Sequence, residues 1–307
     1  MIRIGTRESQ LAVWQANQVK DLLATQGVDA ELVYIRSEGD IDLKTPLYEM
    51  GVQGIFTRSL DIALLNNKID IAVHSMKDVP TQLPQGIAQA AVLKRASYKD
   101  LLIYKGEQFI FDEALAESAC IIATSSIRRK AQWLNRYPHH SIENLRGNVN
   151  TRMRKVEESN WNGAIFAAAG LERIGLRPHN SAELDWMLPA PAQGAIVVAC
   201  RADDNKLLQT CAAFNDADTA ICTKIERDFL RALLGGCSTP ISALAVVKDG
   251  NVIFRGNILS VDGKDKVEID KTIPVSEASD AGTVFAKELL ALGGQEIADG
   301  IHKQRNA

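Results

Sequence analysis

The sequence predicts an α/β protein, with two βαβ-type units followed by a smaller α+β unit. Three observations carry this. Short apolar runs alternate with stretches of helical spacing in the first part of the chain, as in a parallel or mixed sheet. The same rhythm restarts after Lys99. Nearer the end, an amphipathic helix precedes two strand-like runs joined at Asp249-Gly250, a pair that favours a tight hairpin turn.

The elements follow in order. IRIGT (2–6) reads as the first strand. SQLAVWQANQVKDLLATQG then has helical spacing, with Leu11, Trp14, Val19, Leu22 and Leu23 on one face. Ser9 is placed as its N-cap and Gly27 as its stop. AELVYIR and IDIAVHSM read as strands, separated by the helix-like FTRSLDIALLNN. Beyond Lys99, DLLIYK, ACIIATS, SIENLRG and GAIFAAAG read as strands, and the segments after Ser126 and Asn150 as helices. LPAPAQGAIVVACR is a proline-rich bend into a strand, Ala195 to Arg201, that can return the chain to the first unit. From Asp218 a helix, TAICTKIERDFLRALLGG, precedes the hairpin ISALAVVKDGNVIFRGNILS, and a last helix is predicted over Ser276 to Leu292. KTPLYEMGVQG, Lys44 to Gly54, fits no element and reads as a mobile surface loop.

The 307 residues leave room for two or three domains. The expected division is 1–95 with 196–215, then 96–195, then 216–307. At 46% hydrophobic and 24% charged, the composition is that of a soluble globular protein. No apolar run reaches the roughly 18 residues that would suggest a membrane span, and MIRIGTRESQ is no secretory leader, so a cytoplasmic location is expected. Cys120, Cys200, Cys211, Cys222 and Cys237 form an odd, scattered set, which reads as reduced thiols. No ligand spacing for a structural zinc occurs, so no metal is expected. His139-His140, after Pro138, reads as a solvated loop. A net charge of -3 argues against general nucleic-acid binding. Yet Ile121 to Arg177 holds ten Lys/Arg against four Asp/Glu. That stretch fits either an anionic ligand or solvated helix faces.

Four strand-to-helix junctions concentrate basic and hydroxyl side chains. They are IGTRESQ with Arg7 and Ser9; ATSSIRRKAQW with Thr124, Ser125, Ser126, Arg128 and Arg129; LRGNVNTRMRK with Arg146, Arg152 and Arg154; and AAAGLERIG with Arg173. Ligands of open α/β sheets bind beyond the carboxyl ends of strands, and helix N-termini offer free N–H groups to anions. A serine there can also be no more than a cap. Together the four junctions favour an anion-binding cleft. VHSMKDVP puts Lys77-Asp78 at a strand's end, before the chain-breaking Pro80. Asp78 can serve as a general acid or stabilise a developing cation. Equally, it can cap a turn beside Lys77. Cys237, in LLGGCSTPIS, alone of the five lies in an open Gly/Ser/Thr/Pro stretch, without a nearby histidine to act as its base.

RIGTRESQLAVWQA, AVHSMKDVP, ATSSIRRKAQ, LRGNVNTR, AAAGLERIG, LPAPAQGA and LLGGCSTPI run in order over nearly the whole chain. Together they resemble the porphobilinogen deaminase (hydroxymethylbilane synthase) family. The resemblance implies two lobes like those of periplasmic binding proteins around a cleft, plus a small C-terminal α+β domain. It implies a monomeric transferase of tetrapyrrole (haem) biosynthesis. Four porphobilinogen molecules would be joined head to tail with loss of ammonia, and the linear product freed by hydrolysis. A dipyrromethane cofactor would be held by a thioether to Cys237, and Asp78 would be the catalytic carboxylate. Arg7, Ser9, Lys77, Ser126, Arg128, Arg129, Arg146, Arg152 and Arg173 match positions that bind cofactor or substrate carboxylates, and Gln15 and Thr124 match further contacts. The family commonly has KGLF where this chain has QGIF, so Gln53 replaces a lysine, and Arg58 follows as a substitute charge. A solute-binding protein would also explain the cleft and its arginines, but not Cys237 or the third unit. A cysteine hydrolase would require a histidine brought to Cys237 by the fold.

Overall fold

Runs of Ile, Val and Ala with few charges suit strands covered on both faces, and Ile71–Ser75 and Ile196–Arg201 in the first sheet are such runs. The computed structural model describes residues 1–36, 57–106, 109, 111, 115, 118–233 and 239–306. Strand β1 (Ile2–Thr6) leads into helix α1 (Gln10–Thr25), β2 (Ala30–Tyr34), α2 (Arg58–Leu65), β3 (Ile71–Ser75) and β4 (Ile87–Val92). Ser9 caps α1 by accepting from the Ala12 N–H, and Gly27 follows the helix at φ 69°. The chain then crosses to a second unit. This comprises β5 (Asp100–Tyr104), β6 (Ile121–Ala123), α3 (Ile127–Arg136), β7 (Ser141–Glu143), α4 (Val149–Glu158), β8 (Gly163–Ala167), α5 (Ala168–Glu172) and β9 (Ser181–Glu183). It crosses back through β10 (Ile196–Arg201) and α6 (Asn205–Ala212).

The two sheets share one plan. The first has the order β2-β1-β3-β10-β4 and the second β7-β6-β8-β5-β9. In each, the first three strands are parallel and the fourth runs antiparallel to both neighbours. That fourth strand is the one that follows a crossing between the units, β10 in the first and β5 in the second. This is the expected two-lobe architecture. Gly194, at φ 88°, allows the return crossing to run close to the outward one. A Cβ there would stand 2.7 Å from the carbonyls of both Ala96 and Ser97.

The third unit begins with α7 (Ala217–Ala232), continues through β11 (Ile241–Lys248), β12 (Asn251–Leu259) and β13 (Lys266–Pro274), and ends with α8 (Ala281–Leu289) and α9 (Gln295–Asn306). Asp249 and Gly250, at φ 50° and 74°, make the hairpin turn as expected. Phe254 meets Phe229 edge-on and Phe285 at a tilt in its core, at centroid distances of 5.1 and 4.9 Å. A buried ion pair joins this unit to both crossings. Arg95 pairs bidentately with Glu226 at 2.6 and 3.0 Å, and its Nε donates to the Gln193 carbonyl at 2.8 Å. Glu226 also accepts the N–H groups of Ala192 and Ala245, so its lone pairs are met within the protein.

Some expectations change. His140 is not in a solvated loop. It is 4% exposed, accepts from Trp133 Nε1 at 3.0 Å, meets the Leu115 carbonyl at 2.8 Å and stacks on Tyr137. An imidazole with both nitrogens bonded can enter a core. The single C-terminal helix becomes two, because the chain departs from helical geometry at Gly293, φ 108°. Of SIENLRG only Ser141–Glu143 pairs as a strand. Strands β4, β9 and β13 and helix α6 add to the elements anticipated. The Lys44–Gly54 loop with Gln53, and the 234–238 segment with Cys237, lie outside the described residues.

Candidate active site

The cleft between the lobes is lined from the carboxyl ends of β1, β3, β6 and β8 and the turns beyond them, where open α/β sheets bind their ligands. It encloses about 330 Å³. Arg7, Lys77, Arg128, Arg129, Arg146, Arg152 and Arg173 line it, and Asp78 is the one carboxylate among its described lining residues. Ser9, Thr124 and Ser126 line it too. Gln15 does not. It is buried behind the wall and donates to Ser75 Oγ at 2.8 Å, so it acts on the cleft through that hydroxyl. Leu230, Thr239 and Ile241, on either side of the segment that contains Cys237, also face the cleft.

Local sequence explains how these groups are presented. Ser126 and Asn148 cap α3 and α4, accepting from the N–H groups of Arg129 and Thr151. So Ser9 and Ser126 are helix caps and cleft residues at once. The turn before α4 passes through Gly147 at φ 117°, where a Cβ would come within 2.7 Å of Thr151. The Gly147 carbonyl accepts from Arg152 Nε at 2.8 Å, and the Arg146 carbonyl from Lys155 at 3.1 Å. Arg173 donates to the Gly194 carbonyl at 2.7 Å and lies 5.6 Å from the centre of the Trp14 ring, a contact between the lobes.

Arg128 and Arg129 are braced from behind by a residue that sequence reasoning passed over. Asp100, fully buried at the start of β5, accepts from Arg128 Nη2 at 2.8 Å, and from Arg129 Nη2 and Nε at 2.6 and 3.2 Å. Arg128 also donates to the Leu188 carbonyl and Arg129 to that of Ile165. Gln193 completes the cluster. Its amide nitrogen donates to Asp100 at 2.9 Å, and its oxygen accepts from Lys77 Nζ at 3.3 Å. Burial by itself would raise the Asp100 carboxyl, but the two guanidiniums hold it far below the usual carboxylate range. The only hint in sequence was an acid heading an otherwise apolar strand.

The cations press on one another. Burial pushes the Lys77 ammonium down to about 8. Asp78 and Asp100 pull it back up, and Arg129 and Arg128 push it further down. Arg152 falls to about 10 through burial and then through Arg129 and Arg146, and Arg173 to about 10 through burial. Seven cations around one described carboxylate give the cleft a positive field that attracts anions. Among the described residues, no cluster of His, Cys, Asp and Glu could hold a metal ion.

Comparison with known proteins gives one family twice. A model described as porphobilinogen deaminase, dipyromethane cofactor binding domain, matches residues 2–209. A second, described as porphobilinogen deaminase, C-terminal domain, matches residues 220–291. A porphobilinogen deaminase of Trichlorobacter lovleyi is 40% identical over 310 residues, spanning 100% of this chain and 98% of that protein. One from Syntrophotalea carbinolica is 41% identical over 301 residues, spanning 96% and 94%. Among solved structures, an ancestral cationic amino acid solute binding protein is similar at a TM-score of 0.44 and 15% identity, over 69% of this chain and 87% of that one.

Proposed function

The chain belongs to the porphobilinogen deaminase family, and from that premise we propose that Asp78 is its catalytic carboxylate and Cys237 its cofactor attachment point. The enzyme condenses four porphobilinogen molecules head to tail into the linear tetrapyrrole hydroxymethylbilane, releasing ammonia, and it uses a dipyrromethane cofactor. The observation that carries the assignment of residues is the charge of the cleft, seven cations and one carboxylate among its described lining residues.

That donor set fits the cofactor, whose pyrrole rings bear carboxylate side chains. Arg7, Lys77, Arg146, Arg152 and Arg173 would hold those carboxylates, with hydroxyls from Ser9, Thr124 and Ser126. Arginine forks match carboxylates in plane and spacing. Arg128 and Arg129, fixed on Asp100, add charge and their remaining N–H groups, while Gln15 steadies Ser75. When bound, the dipyrromethane would supply the electron-rich free pyrrole carbon to which the first incoming ring is joined, each later ring being joined to the free end of the chain so formed. Asp78 accepts the pyrrole N–H of the incoming porphobilinogen and offsets the positive charge left as ammonia departs. It also assists removal of the proton displaced when the rings join. Cys237 attaches the cofactor through a thioether, a link that withstands the acid–base chemistry beside it. The cleft-lining positions of Leu230 and Thr239 support this.

We extend the proposal to three domains, 1–95 with 196–215, 96–195 and 216–307, in a cytoplasmic monomer. Pairing of β10 with β3 supports the first grouping. The four described cysteines are free, as a reducing compartment requires. Among the described residues, no helix is long and apolar enough to cross a membrane. Intact-mass measurement tests the central claim. The purified protein should exceed its sequence mass by two linked pyrrole units, and Cys237→Ser should lose the excess. An active wild-type protein of unmodified mass would rule the attachment out.

A further inference from the structure

Asp78 sits on a short turn, and that turn is held from the third unit. After β3 the chain makes one 3-10 turn, Met76–Asp78, and then leaves the sheet in an extended form at Val79. Met76 and Val79 bury their side chains with Ala192, Ala195 and Val197, which fixes one side of the turn. The backbone carbonyls of the turn meet α7. There the guanidinium of Arg227 donates to the carbonyls of Met76 at 3.2 Å, Val79 at 2.9 Å and Pro80 at 2.5 Å. Ala220, two turns earlier on α7, packs against the same cluster as Met76 and Val79.

One side chain thus grips carbonyls on both sides of Asp78. The planar fork suits this, since its donors diverge in fixed directions. The helix that carries Arg227 is itself held firmly, because the adjacent Glu226 bonds Arg95 and the N–H groups of Ala192 and Ala245. The helix ends at Ala232 with Leu233 as its C-cap, and Cys237 follows four residues later in the sequence. We propose that Arg227 is a positioning residue, fixing the Asp78 turn to the helix that precedes the cofactor-bearing segment in sequence. The Asp78 turn is then held to the third unit through three carbonyls rather than by its own sheet alone. This rests on the reading of Asp78 as the catalytic carboxylate.

The test compares Arg227→Gln, Asp78→Asn and the double variant, all as cofactor-loaded enzyme verified by intact mass. Ammonia release from porphobilinogen is the readout. Displacement of a reacting group by about 1 Å can cost as much as 10²-fold. Arg227→Gln should therefore lower kcat by roughly ten- to a hundredfold, with KM changed less than about threefold. In the Asp78→Asn background the same substitution should cost little, because the carboxylate it positions is already gone. Arg227→Lys keeps the charge but not the fork. It should show the same loss of kcat, and it replaces Arg227→Gln if that variant fails to fold. Wild-type kcat in Arg227→Lys, or an undiminished loss in the double variant, would overturn the proposal while leaving Asp78 in place. Near-normal turnover by Asp78→Asn alone would instead overturn the reading of Asp78, and the proposal with it.

Discussion

Asp100→Asn should unfold the second lobe far more readily than so small a change suggests. The substitution keeps the shape and removes one charge. In the native protein the carboxylate is fully buried and accepts four hydrogen bonds, three from Arg128 and Arg129 and one from Gln193. The asparagine leaves two nearly buried guanidiniums without a counter-charge and turns an N–H group towards donors. Breaking a buried ion pair by removing one partner costs about 3–5 kcal/mol. That is more than a hundredfold in the folding equilibrium, and a large part of the about 5–15 kcal/mol that holds a domain. With a urea slope of about 1–3 kcal/mol per molar, the midpoint should fall by roughly 2 M. Tryptophan fluorescence reads the right lobe, since Trp133 is fully buried there and Trp161 and Trp186 lie in the same unit. The measurement is best made on Cys237→Ser and Cys237→Ser/Asp100→Asn, so that the cofactor does not add to the difference. A carboxyl lowered on folding contributes stability above its unfolded pKa, about 3.9, and loses it as pH falls through the lower folded value. The gap should hold from pH 8 to pH 5 and narrow only in stronger acid. Adding Arg129→Met should restore part of the loss by removing one unpaired cation. A midpoint shift under about 0.5 M, the scale of a surface pair, would refute the claim that Asp100 braces the cleft.

Other outcomes follow from the same geometry. Asp78→Asn should keep its cofactor, judged by mass, yet release ammonia at least about a hundredfold more slowly, and near-normal turnover would remove Asp78 from the mechanism. Lys77 titrates near 8 in the free cleft, and a bound carboxylate favours its protonated form. Porphobilinogen binding to cofactor-free Cys237→Ser protein should therefore take up a proton above pH 8, with Kd rising by up to about tenfold per pH unit. Adding Lys77→Arg should flatten that rise, and a level Kd from pH 7 to 9.5 in Cys237→Ser would contradict it. Burial pushes the thiols of Cys200, Cys211 and Cys222 up to about 11, 12 and 11, and Cys120 is also buried. Cys237→Ser protein should therefore resist iodoacetamide at pH 8 until unfolded, and rapid alkylation of the folded protein would argue against this packing.

Much of the fold could be read from local pattern. Apolar runs beside helical spacing marked β1, α1, β3, β8 and α7, and Asp249-Gly250 marked the hairpin, because each signal lies within a few residues. β13 escaped notice because the alternation of KVEIDKTIP breaks at Asp270-Lys271 and, on this edge strand, only Ile269 is buried. The burial of His140 was hidden because its partners, Trp133 and Leu115, come from separate segments. Arg227 looked like one more polar residue on an amphipathic helix. Only the packing of α7 beneath the turn after β3 gives it three carbonyls to hold.

The cleft shows why its basic residues were legible and its supporting acid was not. Cations gathered at strand ends announce an anion site in sequence, since their purpose is to face outward into one space. Asp100 works from the opposite side. Placed in the cleft, it would cancel part of the positive charge gathered there. Buried behind Arg128 and Arg129, it offsets one of their two charges and fixes both forks before any ligand arrives. The pair still presents a net positive charge, and less side-chain entropy remains to be lost on binding. Gln193 extends the same frame to Lys77, one residue before Asp78. The order of Arg128, Arg129 and Gln193 thus comes from a carboxylate that does not line the cleft. Residues 77, 100, 128, 129 and 193 become neighbours only when both crossings between the lobes are made.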